Sequence, residues 1–247
     1  MSRTIKGIIG LVVLVAIVVG GYFGVQFFLL DNAEVSQSAD EGIEELDEGG
    51  EAATVFTIDP SQSTAEFRID EVLRGEDVTV LGTTSELAGQ IQVNAANPSA
   101  SEVSEIRVNA RALETDAGGR NRALRNFILN SSQDQYEFIV FQPTAIQNMP
   151  ESVSVGEEFS FQVVGDLTVV DATNEVTWDV TVTPNSETEI EGVAETTIQY
   201  PDYNITIPEV PFVASVEDDV TLTLNFVATE GEGSETVEED ADETTDS

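Results

Sequence analysis

The chain of 247 residues carries 47 acidic against 9 basic side chains, a formal net charge of −38, and contains neither Cys nor His. Without Cys there is no disulfide, thiol nucleophile or thiolate metal site, and without His the usual general base near neutral pH and the commonest metal ligand are missing. A field of this sign repels a phosphate backbone, which excludes nucleic acid as a partner.

The first element is an uncharged apolar run from Ile8 to Leu30, IIGLVVLVAIVVGGYFGVQFFLL. A helix of that length spans about 34 Å, enough to cross a bilayer's hydrocarbon core. Arg3 and Lys6 precede it, and Asp31 and Glu34 follow it. The positive-inside tendency therefore predicts a cytoplasmic N-terminus over 1–7 and a single transmembrane signal-anchor over 8–30. Everything after it is expected outside, as an extracytoplasmic part of a single-pass protein of the cell membrane. A cleaved signal peptide is the alternative, but its apolar core is shorter, and the small residues Ser36 to Ala39 lie well past the run. Gly20 and Gly24 form a small-xxx-small pair, a weak signal for helix pairing.

Residues 31–53 hold nine acidic side chains and no basic one, and so do residues 230–247. Neither stretch has the apolar surface to offset its ordering entropy, so a disordered acidic linker and a disordered acidic tail are predicted. One folded domain remains, over 54–229.

Within the domain, apolar residues alternate with polar ones, the mark of strands with one buried face. The pattern covers Ala65–Ile69, Leu87–Val93, Ile106–Ala112, Phe159–Val163, Val176–Val182 and Val220–Phe226. Turn residues separate the runs at Asn97-Pro98, Asp116 to Gly119, Asn148 to Pro150 and Thr183 to Asn185. One stretch breaks the pattern: Arg120 to Asn130 places Leu124, Phe127 and Ile128 at helical spacing with Arg on the opposite side, which predicts a short helix. Many antiparallel strands with one short helix indicate a barrel or a sandwich.

No enzyme chemistry emerges from these residues. Asp70, Glu71, Glu76 and Asp77 cluster around Arg74 but lack the spacing of a calcium loop, and neither a Gly-rich phosphate loop nor a Gly-x-Ser-x-Gly turn is present. The chain is read as a non-enzyme with no catalytic residue, no metal and no cofactor. Phe138 and Val140 are apolar on the parity opposite to Ile139 and Phe141, which suggests a contact with loops or with a second subunit in a homodimer.

The order of landmarks resembles that of the YceI-like family. Phe56-Thr-Ile-Asp-Pro60 with Ser63 opens the domain, followed by the Arg120-to-Arg125 helix, Tyr136-Glu-Phe-Ile-Val-Phe141, Gly165-Asp-Leu-Thr168 and Val176-Thr-Trp-Asp-Val180. Tyr200-Pro-Asp-Tyr203-Asn and Leu222-Thr-Leu-Asn-Phe226 close it. The resemblance implies an all-β fold, an eight-stranded antiparallel lipocalin-like barrel with one short helix, here preceded by the single transmembrane helix. It also implies an elongated apolar cavity for a polyisoprenoid, such as a quinone tail or a polyprenyl lipid. Gln62 stands where the family often has His, and Asp171-Ala172 replaces a frequent His-Gly, which puts in doubt any head-group contact at those positions.

Phe67, Ile69, Val108, Phe127, Ile128, Ile139, Phe141, Trp178, Val180, Leu224 and Phe226 are the inward-facing candidates for ligand contact. Alternation does not distinguish a filled core from a lined cavity; only the resemblance favours the cavity. Five Arg fall between residues 107 and 125. They are read either as pairing with surface carboxylates or, for Arg120, Arg122 and Arg125, as framing a cavity mouth for an anionic or carbonyl-bearing head group. The expected function is a membrane-anchored, extracytoplasmic holder or carrier of an isoprenoid lipid. The alternative is an acidic cell-surface interaction module with a filled barrel and no lipid.

Overall fold

The computed structural model describes residues 36–46, 53–208 and 213–231. Compactness divides the chain after residue 37, and the elements below belong to the unit that follows. Its strands are β1 (Ala53–Ile58), β2 (Thr64–Leu73), β3 (Glu76–Thr84), β4 (Leu87–Ala88), β5 (Gln90–Asn94) and β6 (Glu102–Val103). They continue with β7 (Ile106–Asn109), β8 (Phe138–Gln147), β9 (Phe159–Val169), β10 (Ala172–Pro184), β11 (Glu189–Gln199) and β12 (Val213–Glu230). All twelve join one antiparallel sheet in the order β4-β7-β8-β9-β10-β11-β12-β1-β5-β6, with β2 and β3 branching from β12.

Pairing follows chain order from β7 to β12 and between β2 and β3, with tight turns at β2–β3, β9–β10 and β10–β11, whereas β4 pairs with β7, β1 with β5 and β12, and β2 with β12. The two-residue turn Arg74-Gly75 between β2 and β3 has positive φ at both positions, 56° and 87°, and Gly meets that demand without strain at the second. Strand β12 is long enough, at 18 residues, to pair with β11 along one edge and with both β2 and β1 along the other. A register shift between Val216 and Val220 interrupts its pairing with β2.

Two expectations need correction. The first is the eight-stranded barrel: the described residues form twelve strands, because long runs are interrupted. The run Leu87–Val93 splits at Gly89, where an added Cβ would overlap the Ile106 side chain. The run 102–109 splits at Ser104-Glu105, where the Ser104 hydroxyl accepts from the Gln90 backbone N–H at 2.8 Å and so replaces a ladder bond. A corner at Asp59–Ser63 separates β1 from β2, with the Asp59 carboxylate accepting from Ser61 N–H at 2.8 Å and from Gln62 Nε2 at 2.7 Å. Gln62 is thus part of a corner, exposed and engaged with Asp59.

The second correction concerns the membrane. Among the described residues no helix is long and apolar enough to cross a bilayer, which says nothing of strands. The run 8–30 and the flank 1–7 lie outside the described residues, as do 31–35, 47–52 and 232–247. The single-pass anchor, the cytoplasmic N-terminus, the extracytoplasmic placement and the membrane as partner therefore have no described element to support them. Of the expected linker, residues 36–46 and 53 are described: Ala39 is buried, Glu41 C=O accepts from Arg107 at 2.7 Å, and Leu46 N–H donates to Gln90 Oε1 at 2.8 Å.

The short helix forms as α1 (Gly118–Ala123), and a five-residue π turn, Leu124–Ile128, continues it. The wider turn, closed by Leu129 N–H to Leu124 C=O at 2.8 Å, changes which residues share a face. Leu124 is buried and Ile128 half-buried, while Phe127 swings out and is 52 % exposed. Periodicity of 3.6 is what placed Phe127 inwards.

Candidate ligand cavity

The inward parity of each long strand is apolar: Phe67 and Ile69 on β2, Ile139 and Phe141 on β8, Phe161 and Val163 on β9, Trp178 and Val180 on β10, Leu224 and Phe226 on β12. These side chains do not meet across the middle. They enclose a cavity of about 1240 Å³ with mostly apolar walls, larger than the roughly 300–1,000 Å³ of ordinary small-molecule sites.

Glycines account for part of that space. Phe67 lies directly opposite Gly82, and an added Cβ there would overlap its ring. Phe226 lies opposite Gly192, where a Cβ would come within 2.6 Å of the ring. Phe141 is beside Gly165, at 2.8 Å from the same kind of atom. Each ring rests along the wall, over a neighbouring strand that offers no side chain, instead of crossing the interior. The sequence contained this signal in the pairing of Phe with Gly, legible only once the register is known.

Of the eleven candidates named from sequence, Phe67, Ile69, Val108, Ile128, Ile139, Phe141, Trp178, Val180, Leu224 and Phe226 all line the cavity, and Phe127 does not. Trp178 packs edge-on against Phe141 with ring centroids 5.8 Å apart. Sequence reading passed over other lining residues, among them Leu113, Met149 and Ile205, which lie in connections without alternation.

Strand registers define two ends. At one lie the β2–β3 turn, α1 and Tyr200; at the other lie the turn after β10 and the start of β6. Arg120 lines the first end, donating to Glu71 Oε1 at 3.1 Å and to Asp116 Oδ1. Arg122 and Arg125 are not part of the lining. Burial, and then the Asp218 carboxylate that its hydroxyl faces, push the Tyr200 phenol above its ordinary value.

Behind this end a buried polar cluster holds the segment between β7 and β8. Arg111 donates to Ser131 C=O at 2.8 Å and Asp134 Oδ1 at 3.0 Å, and lies 3.5 Å from Glu137 Oε2. Asn109, fully buried, donates to Glu86 at 3.0 Å and Glu137 at 3.3 Å. The remaining Arg of the group has a surface role: Arg107 pairs with Glu105 and covers the Phe138 ring at 5.8 Å. That guanidinium shields one of the two outward apolar residues of β8. Among the described residues no group of three or more acidic side chains is placed to hold a metal.

The YceI-like domain model matches residues 56–228, most of the chain. The chain belongs to the YceI-like family. Among solved structures, a polyisoprenoid binding domain from Saccharophagus degradans is similar at 13 % identity, with 72 % of this chain and 99 % of that one covered and a TM-score of 0.58. Burkholderia cenocepacia BcnA matches at 18 % identity over 70 % of this chain and 99 % of its own, with a TM-score of 0.55. The Campylobacter jejuni YCEI protein matches at 14 % identity over 61 % and 85 %, with a TM-score of 0.51. At these identities the likeness concerns the fold. No curated protein matches the chain significantly. The family match supports reading the chain as a non-catalytic domain with a lipocalin-like fold.

Proposed function

We propose that the YceI-like domain binds an elongated apolar ligand, of the polyisoprenoid class, in its central cavity. The observation that carries this reading is the apolar lining of a 1240 Å³ space running between the two ends of the strands. The Saccharophagus degradans protein with this fold is described as a polyisoprenoid binding domain, which supports the ligand class.

The physics needs no specific polar contact. Burying the five carbons of one isoprene unit is worth about 4 kcal/mol at roughly 0.8 kcal/mol per CH₂-sized group. Several buried units thus outweigh the cost of ordering the chain. Trp178, Phe141 and Phe226 would supply most of the aromatic contact, with Phe67, Ile69, Val108, Ile128, Ile139, Val180 and Leu224 around them.

A second reading draws on the net charge of −38: the domain works through its acidic exterior as an interaction module and carries no lipid. Native purification of the full chain followed by solvent extraction and mass spectrometry separates the two. The proposed reading predicts an isoprenoid at near-stoichiometric amount. A lipid-free extract, with no uptake of added geranylgeraniol, would sink it in favour of the exterior reading.

A further inference from the structure

The walls are apolar, but the charges at the two ends are not balanced. On β2 the inward parity that gives Phe67 and Ile69 continues to Glu71, and on β12 the parity of Phe226 and Ala228 continues to Glu230. Glu102 and Glu187 join Glu230 at its end, where the lining has no Lys or Arg.

The other end has two guanidinium groups, Arg74 and Arg120. Arg120 is spanned by two carboxylates: Glu71, 11 % exposed and 3.1 Å away, and Asp116. Arg74 occupies the exposed turn between β2 and β3, with Asp70, Glu71, Glu76 and Asp77 around it in the chain. An anionic head group arriving at this end meets a neutralised or outnumbered cation, and at the opposite end it meets carboxylates alone. Desolvating a phosphate or carboxylate beside like charges is unfavourable, and the other guanidinium at this end, Arg74, sits exposed on its turn, where water screens its charge.

We infer that the cavity selects uncharged ligands, such as isoprenoid alcohols, hydrocarbons or quinones, over phosphorylated or carboxylated lipids of the same chain, and that Glu71 is a specificity-determining residue because it occupies Arg120. The inference rests on the proposed binding of an apolar ligand and deepens it. Glu71 acts through Arg120 and is in this sense a positioning residue.

The test compares geranylgeraniol with geranylgeranyl phosphate on the full chain, read by fluorescence of the single tryptophan, Trp178, in the cavity wall. The alcohol should bind at least about tenfold more tightly than the phosphate at low salt, and the gap should narrow as salt screens the carboxylates. Glu71→Gln frees one face of Arg120, so affinity for the phosphate should rise severalfold while that for the alcohol stays unchanged, and Glu71→Asp should restore the wild-type ratio.

Equal or tighter binding of the phosphate by the wild-type chain overturns the selectivity and leaves the apolar-ligand reading standing. Failure of both probes to bind overturns both. If Glu71→Gln lowers affinity for both probes equally, Glu71 serves the fold and its assigned role is overturned. Should that variant not fold, the wild-type ratio and its salt dependence decide the selectivity, and Arg120→Gln, which should leave that ratio unchanged, decides whether Arg120 is occupied.

Discussion

The cavity wall and the segment that holds its α1 end are built by opposite means. The wall, from β8 to β12, is mostly apolar on alternate residues, hydrogen-bonded strand to strand, and shaped by rings resting on glycines. The segment between Asn109 and Glu137 contains no strand, only short helical turns, and is fixed by buried polar groups: Asn109 at 0 % exposure, Ser131 at 0 %, Glu137 at 1 % and Arg111 at 8 %. The difference is one of redundancy. A wall residue loses some apolar contact when truncated, whereas each member of the polar cluster leaves a partner stranded in a place water reaches poorly.

That contrast predicts a ranking of effects. Arg111→Ala or Glu137→Ala should be the most damaging, costing about 3–5 kcal/mol in chemical denaturation because one buried charge loses its counterpart. Arg111→Ala combined with Glu137→Ala should cost less than the sum of the two, and strict additivity would show that the cluster is not coupled.

Next comes the wall. At Gly192 a Cβ would lie 2.8 Å from the Thr181 carbonyl as well as against Phe226, so the backbone has to give way. Gly192→Ala should destabilise by about 1–3 kcal/mol, as overpacking does. At Gly82 the obstacle is the Phe67 ring, which has the open interior to turn into. Gly82→Ala should therefore weaken ligand binding more than it weakens the fold, as measured by titration and thermal melting on the same sample. Equal losses in both would contradict the account of rings laid on the wall.

The π turn offers a smaller contrast. Phe127→Ala should change stability by less than about 0.5 kcal/mol, as an exposed site does, and Ile128→Ala by clearly more. The reverse order would indicate a regular α-helical phase.

The smallest effect is at Asp59, whose carboxyl is held below its ordinary value, chiefly by the Gln62 side chain and then by Ser61. A folded-state value below the unfolded one contributes stability above the unfolded value, and that contribution disappears as pH falls through the folded one. Asp59→Asn should thus lower the melting temperature slightly at neutral pH and leave it unchanged in strong acid.

These contrasts also mark what the sequence could convey. Alternation placed Phe67, Ile139, Trp178 and Phe226 on the inner face because period two is a local property. It carried no information on whether they fill or line the interior, since that depends on which residue of the next strand lies opposite. Nor did it show that Gly89 and Ser104 would break long runs into short strands. Helical spacing misplaced Phe127, because a π turn changes the period without changing the composition. The polar cluster was illegible for a different reason: Asn109, Arg111 and Glu137 look like ordinary surface residues until the fold brings β7 and β8 together. For Arg120 the sequence leaves surface pairing and a cavity mouth both open, and its contact with Glu71 crosses 49 positions of sequence.

The central claim is that the open interior admits an apolar chain. Titrating the full-length protein with a short-tailed benzoquinone while recording Trp178 fluorescence tests it directly. The account predicts saturable quenching with one ligand per chain, abolished by prior loading with geranylgeraniol. Quenching that never saturates, or that geranylgeraniol leaves untouched, would mean that the cavity takes no such ligand.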